Sequence, residues 1–320
     1  MLTIRRILLV LFKEIFFSLM LLFGVSIVIF NILYFSPGDP FSHLLSGQLT
    51  DVSARENVVN ALGLPSSISG QFFSWLVNVL QGNLGTSLRT GKPVLDEILL
   101  LGSNTLFLTI GSLLVALLIS LPIAIFSALK TSSFFVWPLT IIAYVLSAIP
   151  LFWLGYIVIY ISTEYFGVFP IQLGFAASKT NETIIILLPV LVLGIASGAI
   201  SEMVRYIREE LTRVLNEDYI RTAKAKGASI WRHAFIEGLL MPITIVLTNK
   251  VPFILGGAII VEQIFNRPGL GRMAWQAAQD RDFPVIMGIT LAAAILVRLA
   301  FLLQRMIFML AIPPHQINRK

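Results

Sequence analysis

Six stretches of this chain are apolar over the length an α-helix needs to cross a bilayer, about 20 residues. They lie at about 9–35, 104–129, 136–163, 183–204, 238–264 and 284–310. A soluble core cannot hide that many such runs. Each is apolar on most faces, and in lipid every backbone polar group must find its partner inside the protein. Charged residues make up only 12% of the chain, against the ~25% usual for soluble domains. The expectation is an all-α membrane protein with six transmembrane helices. Its parts are a first span with its tail (1–35), an external segment with short helices (36–103), a five-helix core with a cytoplasmic loop at 205–237 (104–310) and a cytoplasmic tail (311–320). The apolar N-terminus runs on to Phe35 with no small-residue cleavage site, so it reads as a retained span and not as a signal peptide.

Lysine and arginine in the loops set the orientation. With the N-terminus inside, the inner side holds fourteen cations, Lys13 and Arg305 near the inner span ends included, and the outer segments hold seven. Both termini are therefore expected in the cytoplasm. The net charge of +6 belongs to this asymmetry and does not point to nucleic acid. There is no cysteine, which excludes disulfides and thiolate metal sites, and His43, His233 and His315 are too scattered for a metal centre.

The most informative stretch is polar. "IRTAKAKGASIWRH" (220–233) lies in the inner loop between spans four and five. Before it, Val204, Ile207, Leu211 and Leu215 share one helical face. "NED" at Asn216–Asp218 then offers a helix start, with acids at the N-terminal dipole. A short helix from Tyr219 carries the small residues Ala223, Ala225, Gly227 and Ala228, ringed by Arg221, Lys224 and Lys226. Small residues admit another backbone, so this strip is suited to docking on a separate soluble protein. Simple attraction to anionic lipid is the other reading of the cations.

Several stretches resemble, in order, the membrane permease subunits of binding-protein-dependent ABC importers, in the dipeptide, oligopeptide and nickel branch. They are "LYFSPGDP" (33–40), "GNLGTSLRTGKPV" (82–94), "YIRTAKAKGAS…WRHA…LLMP" (219–242), "ILGGAIIVEQIFNRPGLGR" (254–272) and "RDFPVIMGI" (281–289). The resemblance implies a type I importer permease fold with a small helical external segment after the first span. It also makes the inner loop a coupling element seated in an ATPase subunit, with Tyr219, Arg221, Ala223, Lys224, Ala225, Gly227 and Ala228 as contacts. The implied partners are a second homologous permease, two ATP-binding subunits, an extracytoplasmic solute-binding protein and the bacterial inner membrane. Cargo by resemblance is a short peptide, with nickel chelate or a glutathione-like solute as alternatives. The chain departs from the pattern at Arg221, at Glu237–Gly238, at Arg267 and in a short Gly227–Pro242 interval.

No catalytic constellation stands out, so no enzyme activity and no cofactor are expected in this chain. ATP and Mg belong to the partner subunits. "GTSLRTGKP" (85–93) approaches a Walker A motif but has five residues between its glycines and Pro93 in place of Ser/Thr. In span five, Asn249, Lys250, Gly256, Gly257 and Glu262 are candidate path residues, because a mid-membrane ammonium must avoid lipid. For Lys250 the competing reading is a structural pair. Glu202 reads as a partner for nearby arginines, and Arg298 as a snorkelling or paired group. Asp39, Arg267, Pro268 and Gly269 are the candidates facing a docked binding protein; turn chemistry alone also explains Asp39. An ion-gradient transporter is the alternative class. The chain shows no internal repeat and almost no mid-span carboxylate, which counts against it.

Overall fold

A computed structural model describes residues 2–36, 67–129, 136–169, 179–227, 229–230 and 234–311. Among them there is no strand, only one isolated antiparallel bridge, Thr86 to Pro93. The helices are α1 (Leu2–Phe35), α2 (Ile68–Leu80), α3 (Val94–Leu129), α4 (Val136–Ala148), α5 (Leu151–Phe166), α6 (Lys179–Ala196), α7 (Ala199–Asn216), α8 (Asp218–Ala225), α9 (Met241–Ile264), α10 (Leu270–Asp280) and α11 (Phe283–Ala311). A π-helical turn, Ile236–Leu240, leads into α9. Four helices are long and apolar enough to cross a membrane, or up to six spans if each of two bent pairs counts as one.

The bent pairs differ from the expected third and fourth spans, and the breakers explain why. Helices α4 and α5 meet at 98°. Pro150 caps α5 and disfavours helical backbone at the residue before it. Helices α6 and α7 meet at 53°, where Gly198 takes φ +70, a conformation that glycine adopts without Cβ strain. Pro122, Pro189 and Pro252 lie inside helices that continue past them.

The chain divides into two compact units. The first comprises 1–103 and 268–298. Within it α2 packs on α1 through buried Phe72, whose ring meets Phe30 at 5.3 Å and Phe23 at 5.9 Å, edge to face. Ser67 caps α2 by accepting the Gly70 N–H at 3.1 Å. Helix α2 is thus one of the short helices expected within 36–103. Arg298 pairs with Glu14 at 3.4 Å and donates to Ser18 at 3.0 Å, so the charge in α11 is partnered as membrane charges must be. A small core of Val94, Ile98, Leu270, Met273, Val285 and Ile289 joins the start of α3 to α10 and α11.

The glycine-rich segment 82–93 is a tight turn laid over that core. Gly82, Gly85 and Gly91 have φ between +67 and +85. Asp282, 2% exposed, accepts the Ser87 hydroxyl at 2.6 Å and the Arg89 N–H at 3.2 Å. Two motifs that are 195 residues apart in sequence thus form one latch.

The second unit comprises 104–267 and 299–320. Among the described residues its core has three parts: Ala116, Ile200, Met203, Ile207 and Val246; Leu108, Leu193, Ile254, Val261 and Phe265; and Ala128, Leu211 and Ala234. Without an aqueous driving force, membrane helices associate through close packing of small residues. Gly194 shows this directly, since a Cβ there would lie 2.9 Å from the Ser112 carbonyl oxygen.

Candidate coupling helix and membrane-face residues

Helix α7 is amphipathic. Met203, Val204, Ile207, Leu211 and Val214 are buried, and Leu215 is half-buried against Leu211 and Ala234. One residue, Glu217, separates α7 from α8; it ends the first helix and precedes the second in extended backbone, φ −63, ψ 145. Arg213 bridges this junction at the surface, with Glu210 at 2.6 Å and Glu217 at 3.1 Å. The second helix starts at Asp218, one residue earlier than expected.

Helix α8 has one anchor. Ile220 is fully buried, Ala223 is half-buried, and Arg221, Lys224, Ala225, Lys226 and Gly227 are exposed. Tyr219 is 39% exposed. Among the described residues Arg221 pairs with Asp218, at 3.4 Å in solvent, a contact worth little. Gly227 ends the helix with φ +67, and nothing lies within 4 Å of a Cβ built on it. Ala228 lies outside the described residues. The strip of small and cationic side chains is thus presented outward on a short, firmly seated helix.

The unusual Gly238 has a clear role. A Cβ there would lie 2.8 Å from Leu211 Cδ1, so glycine lets the π-turn press against α7. Insertions of this kind are frequent at functional sites.

The five candidate path residues divide between two faces of α9. Asn249 and Gly256 are exposed, with Phe253, Ile260 and Gln263 on the same stripe. Lys250, Gly257 and Glu262 face inward. Lys250, 12% exposed, pairs with Glu202 of α7, and its Nζ stands 5.2 Å from the Phe253 ring centroid. Glu202 therefore partners a lysine and not the expected arginines; its place in the first turn of α7 points it at α9, where burial demands a counter-charge. Gly257 is a packing residue, since a Cβ would meet Leu193 at 2.8 Å and Leu151 at 3.2 Å, whereas Gly256 has open space. Glu262 is 1% exposed and accepts the Thr105 hydroxyl at 2.6 Å.

Arg267, expected to face a docked protein, turns inward. It is 8% exposed and donates to the Ile186 carbonyl at 3.3 Å, while its own N–H reaches the Glu262 carbonyl at 2.8 Å. Burial lowers the Arg267 pKa below its usual value, and the Glu262 charge opposes that shift. Asn266, φ +52, makes the reversal that brings it there. Pro268 is half-buried and Gly269, which precedes α10, is buried. Asp39 lies outside the described residues.

Two family models match. Residues 120–314 fit the binding-protein-dependent transport system inner membrane component, and residues 7–99 fit the N-terminal part of such membrane components. The chain is 35% identical to the oligopeptide transport system permease protein AppB of Bacillus subtilis, over 305 residues that cover 92% of this chain and 95% of the relative. It is also 35% identical to the glutathione transport system permease protein GsiC of Pectobacterium atrosepticum, covering 87% and 88%. For GsiC of Escherichia coli K12 the identity is again 35%, covering 83% and 85%.

Proposed function

The chain belongs to the family of binding-protein-dependent transport system inner membrane components, and from that premise we propose that it is the permease subunit of an ABC importer for short peptides. This membership displaces the ion-gradient alternative. The observation that carries the reading is the outward strip of α8, small and cationic, on a chain whose relatives are permeases over almost their whole length. The names of those relatives support a peptide or glutathione-like cargo.

In this reading the chain crosses the membrane six times with both termini in the cytoplasm. A second, homologous permease completes the path, two ATP-binding subunits receive α8, and an external binding protein delivers cargo. Tyr219, Arg221, Ala223, Lys224, Ala225, Gly227 and Ala228 form the ATPase contact. Asn249 and Gly256 border the path on the open stripe of α9. Lys250 reaches a cargo carboxylate only by exchanging it for Glu202. Asp39, Pro268 and Gly269 lie on the side that meets the binding protein.

Mechanically, closure of the ATPase pair pushes α8. Glu217 passes that push to α7, and the Glu202–Lys250 pair passes it to α9. Ala225→Trp tests the first step, because the site is exposed. The variant should keep its thermal stability but no longer co-purify with the ATP-binding subunit. Undiminished co-purification, or peptide uptake by the purified chain alone, refutes the proposal.

A further inference from the structure

A groove lined by both charged and apolar groups runs between α4 and α7 within the second unit. Thr140 and Tyr144 form one wall, and Arg205, Arg208, Glu209 and Thr212 form the other. Its volume is about 580 Å³, inside the range of roughly 300–1,000 Å³ found for small-molecule sites. The α7 residues occupy one helical stripe, opposite the buried Met203, Ile207, Leu211 and Val214.

Cations outnumber anions on the groove's own walls. Arg213 also borders it, but is held by Glu210 and Glu217. Among the described residues, no carboxylate pairs with Arg205 or Arg208 within 4.0 Å. Arg205 and Arg208 thus line the groove with Glu209 as the one carboxylate on its wall, while Glu210 and Glu217 are both engaged by Arg213. Thr212 Oγ1 is buried with no hydrogen-bond partner among the described residues. On the stripe of α4 that borders the groove Trp137 is 70% and Tyr144 47% exposed, and further round the same helix Ile142 and Val145 are exposed too.

We infer that this groove holds the phosphodiester of an anionic membrane phospholipid, with its acyl chains along α4. Arginine forks match phosphate oxygens two at a time. A phosphodiester meets the two arginines of the wall that no carboxylate holds. Tryptophan and tyrosine settle at headgroup level, and basic pockets between membrane helices on the cytoplasmic side take anionic headgroups. Such a lipid braces α4 against the helix that carries α8. From the proposed function this takes only that the α7–α8 junction lies at the cytoplasmic leaflet.

The test uses the assembled importer with the full chain, purified from a membrane containing phosphatidylglycerol. Native mass spectrometry should find one retained phosphatidylglycerol per chain, lost in R205Q/R208Q. Thermal stability should rise on adding phosphatidylglycerol to wild type, not on adding phosphatidylcholine, and not in the variant. If the charge variant fails to assemble, T140L/T212L fills the groove without touching the charges and should show the same loss. Unchanged retention in an assembled variant overturns the inference, as does equal stabilisation by the two lipids. Saturation by inorganic phosphate without lipid retention overturns the lipid source. An importer that takes up peptide yet shows no lipid preference overturns this site and leaves the permease reading standing.

Discussion

The Glu202–Lys250 pair makes an asymmetric prediction. Removing one member of a fully buried pair costs about 3–5 kcal/mol, because the survivor is left charged and dry. Here the two partners are not equally dry: the Lys250 side chain is 12% exposed and that of Glu202 is 35% exposed. Lys250→Met leaves the wetter carboxylate behind, so the expected loss is about 1–2 kcal/mol, below the range for a dry survivor. Glu202→Gln leaves the drier ammonium. The Phe253 face, 5.2 Å away, offsets only about 0.5–2 kcal/mol of that cost, and the expected loss is about 2–3 kcal/mol. The double variant K250M/E202Q removes both charges and should recover most of the loss, with a coupling energy of about 1–3 kcal/mol. At roughly 2 °C of Tm per kcal/mol for a chain of this size, the order of melting in detergent resolves the cases. Additive losses, or Lys250→Met melting below Glu202→Gln, would refute the reasoning.

Four further outcomes follow from the geometry. Gly257→Leu should destabilise by about 1–3 kcal/mol through overpacking against Leu193 and Leu151; Gly256→Ala next to it should be neutral or gain up to about 1 kcal/mol of helix propensity, both read by thermal melting. Asp282→Ala strands the Ser87 hydroxyl and the Arg89 N–H, costs about 1–3 kcal/mol per buried orphan, and should speed tryptic cleavage at Arg89. Ile220→Ala should cost about 2–5 kcal/mol of local stability and raise hydrogen exchange across 218–225. Gly238→Val should separate the π-turn from Leu211, lowering Tm and ATPase co-purification together.

The helices and the polar strip of α8 were legible because their signals are local. Apolar run length marks a span, and periodicity marks α7: Val204, Ile207 and Leu211 are buried as their spacing predicts. What was not legible depends on which element lies opposite. Lys250 announced that it needed shelter, but nothing in the order of residues said that Glu202 was the group providing it. Gly256 and Gly257 look alike in sequence, and only the position of Leu193 separates packing from open space. Arg267 looked like a surface cation until the turn at Asn266 carried it inward. The bends after Ile149 and Ser197 had their breakers in plain view, in Pro150 and Gly198. Pro122 and Pro189, inside helices that continue, show that a breaker alone does not say where a chain will turn.

The junction at Glu217 has a mechanical corollary. A rigid piece about 12 Å long, eight residues at 1.5 Å each, is joined at one end through a single extended residue and held along its flank by one plug, Ile220. A body held at a pivot and a socket keeps one axis of rotation. A thrust on its free side is therefore delivered as torque along α7, like a crank turning its shaft, and the direction of the thrust decides the sense in which that shaft turns.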